Sequence, residues 1–121
     1  MDPLLVQEMT LFHNRICQAL GDPTRLMLLY ALHNHEKNVT ELAEELNIPQ
    51  PTVSRHLKIL RERDLVTTRR AGVAVYYALA DVRVIDALEI LRGVLHDRVT
   101  ADAQVAQFDA LEVRLSGGES E

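Results

Sequence analysis

Cysteine and long apolar runs are scarce in this chain, and each scarcity excludes a class of protein. Cys17 is the single cysteine, so no disulfide can form within one chain and cysteines alone cannot build a metal site there. The longest apolar run, Val73 to Ala80, has eight residues, whereas a membrane span needs about 20. The start Met1-Asp2-Pro3 lacks the positive charge of a signal peptide. We therefore expect a cytoplasmic protein without a membrane partner.

Signs of an enzyme are missing as well. The sequence has no nucleophile paired with a base, no glycine-rich phosphate loop and no closed set of metal ligands. Its 121 residues, 47% hydrophobic and 26% charged, suit one soluble globular domain. Length and composition thus predict a single domain that is not an enzyme.

Positive charge is concentrated in one segment of an acidic chain. The formal net charge is −5, yet residues 50–80 contain two acidic side chains and six basic ones, Arg55, Lys58, Arg61, Arg63, Arg69 and Arg70. A compact basic segment on an acidic body is typical of a protein that presents one face to a polyanion. The charge distribution therefore favours nucleic acid as the partner.

Apolar spacing and capping residues predict four helices in the first half of the chain. The first helix is predicted to end near Gly21, and the second to run from Arg25 to about Asn34. The third is predicted to start at Asn38 or Thr40 and to stop at Asn47-Ile48-Pro49, and the fourth to begin at Gln50-Pro51. In the fourth helix Val53, Leu57 and Leu60 recur at i, i+4 and i+7 and form the buried stripe. The opposite face of this helix is polar and basic.

Two extended runs and a long helix follow. Residues 65–69 and 73–79 are rich in β-branched and aromatic side chains, with Arg70-Ala71-Gly72 as the predicted hairpin turn. Asp81 caps the last helix, whose spacing weakens toward Leu115, and residues 116–121 form a disordered tail. Two short helices joined by a tight turn and followed by a hairpin predict a winged helix-turn-helix, a mainly α fold with a β-hairpin wing.

The fourth helix carries the side chains that a DNA major groove requires. Short hydrogen-bonding groups read base edges and cations hold phosphates. The first group comprises Gln50, Thr52, Ser54 and Arg55, and the second comprises Lys58 and Arg61. His56 lies at the flank of the buried stripe, and its role stays open between a core or phosphate-contacting residue and a base reader.

Three motifs resemble the ArsR/SmtB family of bacterial winged-helix repressors. They are Ala19-Leu20-Gly21-Asp22-Pro23-Thr24-Arg25-Leu26, Thr52-Val53-Ser54-Arg55-His56-Leu57-Lys58-Ile59-Leu60 and Arg69-Arg70-Ala71-Gly72-Val73-Ala74-Val75-Tyr76-Tyr77-Ala78-Leu79. The resemblance covers residues 8–98. It implies a homodimer joined through the first and last helices. It also implies binding to an inverted-repeat operator and release by an effector, which we leave unidentified. We expect the whole of residues 1–115 to form one domain.

The sequence departs from the resembled family at its known sensor positions. The helix before the recognition helix, Thr40–Leu46, has no thiol for an arsenic or cadmium site. At the last helix Asp81 is followed by Val82-Arg83, and His96 is the one histidine near the far end, so a zinc or nickel site there is incomplete. Relatives often carry a basic or bulky residue just after the turn glycine, whereas this chain has Val73-Ala74. We therefore expect Arg69 and Arg70 to make the wing's phosphate contacts.

Other readings of these residues stay open. His33 and His35, beside Glu36, and His96 are weak zinc or nickel candidates, although scattered surface histidines are commoner than ligands, and no cofactor is predicted. Cys17 is either a small buried apolar residue or a redox sensor. The alternative function is a winged-helix module that binds an acidic protein partner.

Overall fold

The computed structural model describes residues 1–101, which contain seven helical segments and one β-hairpin. The chain divides into two compact units, Met1–Ile85 and a second that begins at Asp86. In order, the elements are α1 (Pro3–Phe12), a π-helical turn (His13–Cys17), α2 (Gln18–Leu20), α3 (Pro23–Ala31), α4 (Val39–Leu46), α5 (Gln50–Glu62), β1 (Val66–Ala71), β2 (Ala74–Leu79) and α6 (Arg83–Ala101). The predicted mainly α winged fold is therefore confirmed. None of the helices in this part of the chain is long and apolar enough to cross a membrane.

The predicted first helix is interrupted by a π-helical turn that its apolar spacing does not reveal. The turn, His13–Cys17, separates α1 from α2. Two contacts tie it to the end of α5: Arg63 donates to the Asn14 carbonyl oxygen at 2.8 Å, and Arg15 pairs with Asp64 at 3.2 Å. A π-turn adds one residue to the helix and so rotates the side chains that follow it. These contacts join residues 49 positions apart in the sequence, so they hold the turn against the end of α5.

Asp22 begins α3, and a short polar turn ends it. The Asp22 carboxylate accepts hydrogen bonds from the backbone amides of Thr24 and Arg25 at 2.8 and 3.3 Å. Burial opposes the charge, yet these two amides together with nearby positive charge lower the pKa of Asp22. The helix stops at Ala31 rather than near Asn34 as predicted, because the amide of His33 turns back to the Tyr30 carbonyl.

The helix-turn-helix is fixed by caps and by a shared core. Asn38 caps α4, and its side chain and that of Glu41 satisfy each other's backbone amides in a capping box. The helix ends at Asn47 in a left-handed conformation with φ 55°, which asparagine tolerates better than most residues. The predicted stripe of α5 is confirmed, since its apolar residues are fully buried, as are others from α3 and α4: Leu28, Leu29, Leu42, Val53, Leu57 and Leu60.

The hairpin turn lies two residues later than predicted. Ala71 pairs with Ala74, so Arg70 and Ala71 belong to β1 and the turn consists of Gly72 and Val73. Gly72 has φ +63°, a conformation that glycine adopts without strain. The prediction of Arg70-Ala71-Gly72 as the turn is therefore wrong. A residue before α4, Lys37, pairs through its backbone with Tyr77 of β2 and extends the two-stranded sheet.

Asp81 holds the first turn of α6, as predicted. Its carboxylate accepts from the backbone amide of Arg83 at 2.9 Å and from the Arg83 guanidinium, with Nη2 2.7 Å from Oδ2. The side-chain hydrogen bond from Arg83, together with its backbone amide, lowers the pKa of Asp81 to about 2. The helix continues to Ala101. The predicted spacing through Leu115 and the tail at 116–121 lie outside the described residues.

Arg25 provides a test of what holds α5 in place. Its guanidinium donates to the carbonyls of Gln18 and Ala19 and to the His56 ring, so Arg25→Ala removes the donor from the buried residues Ala19 and His56. We expect the free energy of unfolding to fall by about 2 kcal/mol. Urea denaturation measures it, with Arg55→Ala as the matched control, since Arg55 is exposed and surface changes stay within about 0.5 kcal/mol. Equal losses in both variants would contradict this role.

The second stability test follows the Asp81 carboxyl. Because its pKa is about 2 in the folded chain and ordinarily 3.8, its stabilising contribution is present above about pH 4 and is lost as the pH falls toward 2. In Arg83→Gln we expect the pKa to rise toward 3.8, stopping short of it because the backbone amide still donates. Carboxyl NMR titration measures the shift. Arg92→Gln, which removes another arginine of α6, should leave it unchanged.

Candidate nucleic-acid interface

The outer face of α5 presents a row of polar and basic side chains to solvent. Helical periodicity turns the apolar stripe inward, and the residues between its members point away from the core. The predicted contact residues that are exposed on this helix are Gln50, Ser54, Arg55, Lys58 and Arg61, while Thr52 is half-buried at the flank. Within residues 1–101 no ion pair engages Arg55, Lys58 or Arg61. These cations are therefore available to an anionic partner.

His56 does not lie on that face. It is 8% exposed, and its Nδ1 lies 3.2 Å from Nη1 of Arg25. Arginine has donors and no acceptor, so Nδ1 is the acceptor in this hydrogen bond. Of the roles left open for His56, the structure supports the core residue, and contact with bases would require it to leave the core.

Arg25 links that buried histidine to the end of α2. Its Nε donates to the Ala19 carbonyl oxygen at 2.7 Å, and Nη2 donates to that of Gln18 at 3.2 Å. One guanidinium therefore donates hydrogen bonds to two carbonyl oxygens of α2 and also orients the His56 side chain at the centre of α5. The sequence motif containing Arg25 was singled out by resemblance, but the partner on α5 has no local sequence signal.

The two wing arginines differ in their surroundings. Arg69 donates to both carboxylate oxygens of Glu36, with Nε 3.1 and 3.2 Å away, and its guanidinium carbon lies 5.0 Å from the centre of the Tyr76 ring. The hydrogen bond from Arg69 lowers the pKa of Glu36, and the carboxylate in turn raises that of Arg69. Arg70 points to the other face of the strand, and it has no ion pair in the described part of the chain.

Three further residues belong to this surface and were not among the predicted contacts. Thr40, in the first turn of α4, accepts from the Gln50 amide at 3.5 Å, which places a hydroxyl beside the start of α5. Glu62 is exposed one turn beyond Lys58 and sets a negative charge at the far end of the basic row. Glu36 neutralises a wing arginine. Of these three residues, only Glu62 could have been found from the sequence, because it lies four residues after Lys58 and so on the same face of the helix.

The candidate metal ligands are scattered. His33 and His35 are exposed, their neighbour Glu36 is paired with Arg69, and His96 lies 3.9 Å from the carboxylate of Asp97. Among residues 1–101 of one chain, no three histidine, cysteine or acidic side chains come together as a metal site would need. The described residues of one chain therefore bring no ligand set for zinc or nickel together. Cys17 is a half-buried free thiol.

Comparison with known proteins identifies the family. Residues 22–68 match the family described as "Bacterial regulatory protein, arsR family". An uncharacterized HTH-type transcriptional regulator of Methanocaldococcus jannaschii is 40% identical over 77 residues, which are 63% of this chain and 86% of that protein. The HTH-type transcriptional repressor SmtB of Mycobacterium tuberculosis is 42% identical over 66 residues, 54% of this chain and 49% of SmtB. The chain thus spans about half the length of this second relative.

A solved structure agrees with the fold. The crystal structure of NolR from Sinorhizobium fredii superposes with a TM-score of 0.69 at 30% sequence identity, covering 78% of this chain and 93% of NolR. The matched family residues contain α3, α4 and α5 and reach into β1, so they include the helix whose outer face carries the free cations. The chain belongs to the arsR family of bacterial regulatory proteins, which are DNA-binding transcriptional regulators and not enzymes.

Proposed function

We propose that this regulator is a sequence-specific repressor that places α5 in the DNA major groove. The observation that carries the proposal is the outer face of α5, where Ser54 and Arg55 are exposed. Beside them lie Lys58 and Arg61, which form no ion pair with any residue from 1 to 101. Arginine reads guanine edges with two hydrogen bonds, and the remaining cations hold phosphates. Gln50 and Thr52 add contacts at the helix start, and Arg70 adds a phosphate contact from the wing.

The proposed repressor acts as a homodimer on an inverted repeat. Two helices expose apolar side chains that one chain leaves uncovered: Leu4, Val6, Leu11 and Phe12 of α1, and Ile90, Leu91, Val94 and Leu95 of α6, each between 46% and 73% exposed. Exposed apolar faces of this kind mark association surfaces. A dimer of this chain presents two recognition helices, one from each copy. They read half-sites one helical turn apart on the DNA, about 34–36 Å.

An effector then releases the DNA, and cytoplasmic location follows from this role. The effector stays unidentified, because the described residues of one chain bring no metal ligand set together.

Selection of duplexes from a random pool tests the whole proposal. An enriched inverted repeat is expected, and its loss on adding zinc, nickel or a thiol oxidant would name the effector class. Absence of enrichment would favour the module that binds an acidic protein partner.

Base reading and phosphate binding separate in two substitutions on α5. Arg55→Ala should weaken binding to the selected operator and relax sequence preference by about 1–3 kcal/mol at one base pair. Lys58→Ala should weaken operator and unrelated DNA alike and lower the slope of log affinity against log salt by about 0.9. Fluorescence anisotropy at several salt concentrations measures both. An unchanged operator preference in Arg55→Ala would refute its assignment as the base reader.

The dimer surface is tested separately from DNA. Leu91→Glu places a charge on the exposed apolar face of α6 and should shift the chain toward monomer in analytical ultracentrifugation. Val73→Glu is the matched control, because Val73 is fully exposed at the wing tip and lies outside both apolar faces. Dimer dissociation in both variants, or in neither, would contradict the proposed surface.

A further inference from the structure

We propose that Glu36 is a positioning residue that holds Arg69 away from the DNA, so that Arg70 alone supplies the wing's phosphate contact. The proposal rests on the DNA-binding function proposed above. It differs from the sequence expectation, in which both arginines contact phosphate. It also places a determinant of wing affinity outside the wing, in the loop between α3 and α4.

The backbone delivers Glu36 to the wing. The amide of Lys37 donates to the Tyr77 carbonyl at 3.0 Å, and the amide of Tyr77 donates to the Lys37 carbonyl at 2.8 Å. Side chains alternate along paired strands, so Glu36 and Lys37 point to opposite faces of the sheet. The face of Glu36 is also that of Tyr76 and Arg69. The ion pair is thus set by sheet pairing and not by chance contact of two mobile side chains.

Arg69 is engaged through its edge and its face at once. The carboxylate of Glu36 accepts hydrogen bonds from Nε and Nη2 of Arg69. Tyr76 is the direct cross-strand partner of Arg69, and its ring lies against the guanidinium. A planar arginine fork matches one carboxylate or one phosphate at a time. Glu36 occupies the fork formed by Nε and Nη2, so a phosphate can take that fork only if Arg69 releases Glu36.

Salt dependence distinguishes the two arginines. A cation that binds a DNA phosphate releases a condensed counterion, and each such contact adds about 0.9 to the salt slope. Arg69 with its charge balanced by Glu36 adds nothing to the slope, whereas the unpaired Arg70 adds one contact. The ion pair thus lowers the charge that the wing presents to DNA.

Anisotropy titration of a labelled duplex of unrelated sequence, between 50 and 200 mM salt, tests the proposal on the full chain. In Glu36→Gln we expect tighter binding and a slope steeper by about 0.9, so that the affinity gain shrinks roughly threefold across this salt range. The double variant Glu36→Gln with Arg69→Gln removes both charges and should return to the wild-type affinity and slope. Arg70→Gln should lose about 0.9 of the slope.

Matched controls separate this effect from net charge and from misfolding. Glu44→Gln makes the same change in charge at an exposed position of α4. Glu44 has no ion pair among the described residues, so this variant should leave the salt slope unchanged. Thermal melts by circular dichroism confirm that each variant is folded. An equal effect of Glu36→Gln and Glu44→Gln would overturn the proposal.

Two other results would also overturn it. An unchanged slope in Glu36→Gln would show that Arg69, once freed, does not reach DNA. A reduced slope in the double variant would show that Arg69 already contacts phosphate in the wild-type chain. Failure of the proposed function looks different, because the wild-type chain would then show no salt-dependent binding to the duplex, and the wing proposal would fall with it.

Discussion

The guanidinium of Arg25 is the contact on which the DNA-binding geometry depends. It joins the carbonyl end of α2 to the His56 ring in the middle of α5, while the apolar stripe of α5 packs into the core. A recognition helix must keep its rotation about its own axis, since a rotation of about 100° moves each side chain to the direction of its neighbour along the chain. The apolar stripe limits that rotation, and the hydrogen bond from Arg25 fixes it at one polar point.

Charge then decides what the exposed face of α5 can bind. The chain as a whole is acidic, so DNA is repelled except where basic residues are concentrated and unpaired. Glu36 and Glu62 reduce that local charge at two places, one beside the wing and one at the end of α5. Phosphate contacts add affinity for every sequence equally. Removing one such contact therefore raises the share of the binding energy that depends on the base sequence.

The elements were predictable from the sequence where burial sets a period. Val53, Leu57 and Leu60 recur at helical spacing because one face of α5 meets the core, and the structure confirms them. The hairpin turn was misplaced because residues on both sides of Gly72 favour strands equally, and only cross-strand pairing shows which ones pair.

The pairing of Arg69 with Glu36 and of Arg25 with His56 was not predictable from local patterns. The partners are separated by 33 and 31 residues in the sequence, and nothing near either member signals the other. The identity of the exposed residues on α5 followed from the helical period alone, whereas which wing cation is free depended on a contact between distant segments. Sequence thus identified the candidate surface, and tertiary contacts decided which of its charges are available.

Asp81 shows how one local contact closes a position that the resembled family uses for metal. An aspartate at the start of the last helix suits a divalent cation only if its carboxylate oxygens are free to coordinate. Here Arg83, two residues later, donates to both oxygens and to the same carboxylate from its backbone. The contact that begins α6 therefore also satisfies the charge of Asp81, and a metal at this carboxylate would compete with Arg83, whose side chain is 86% exposed.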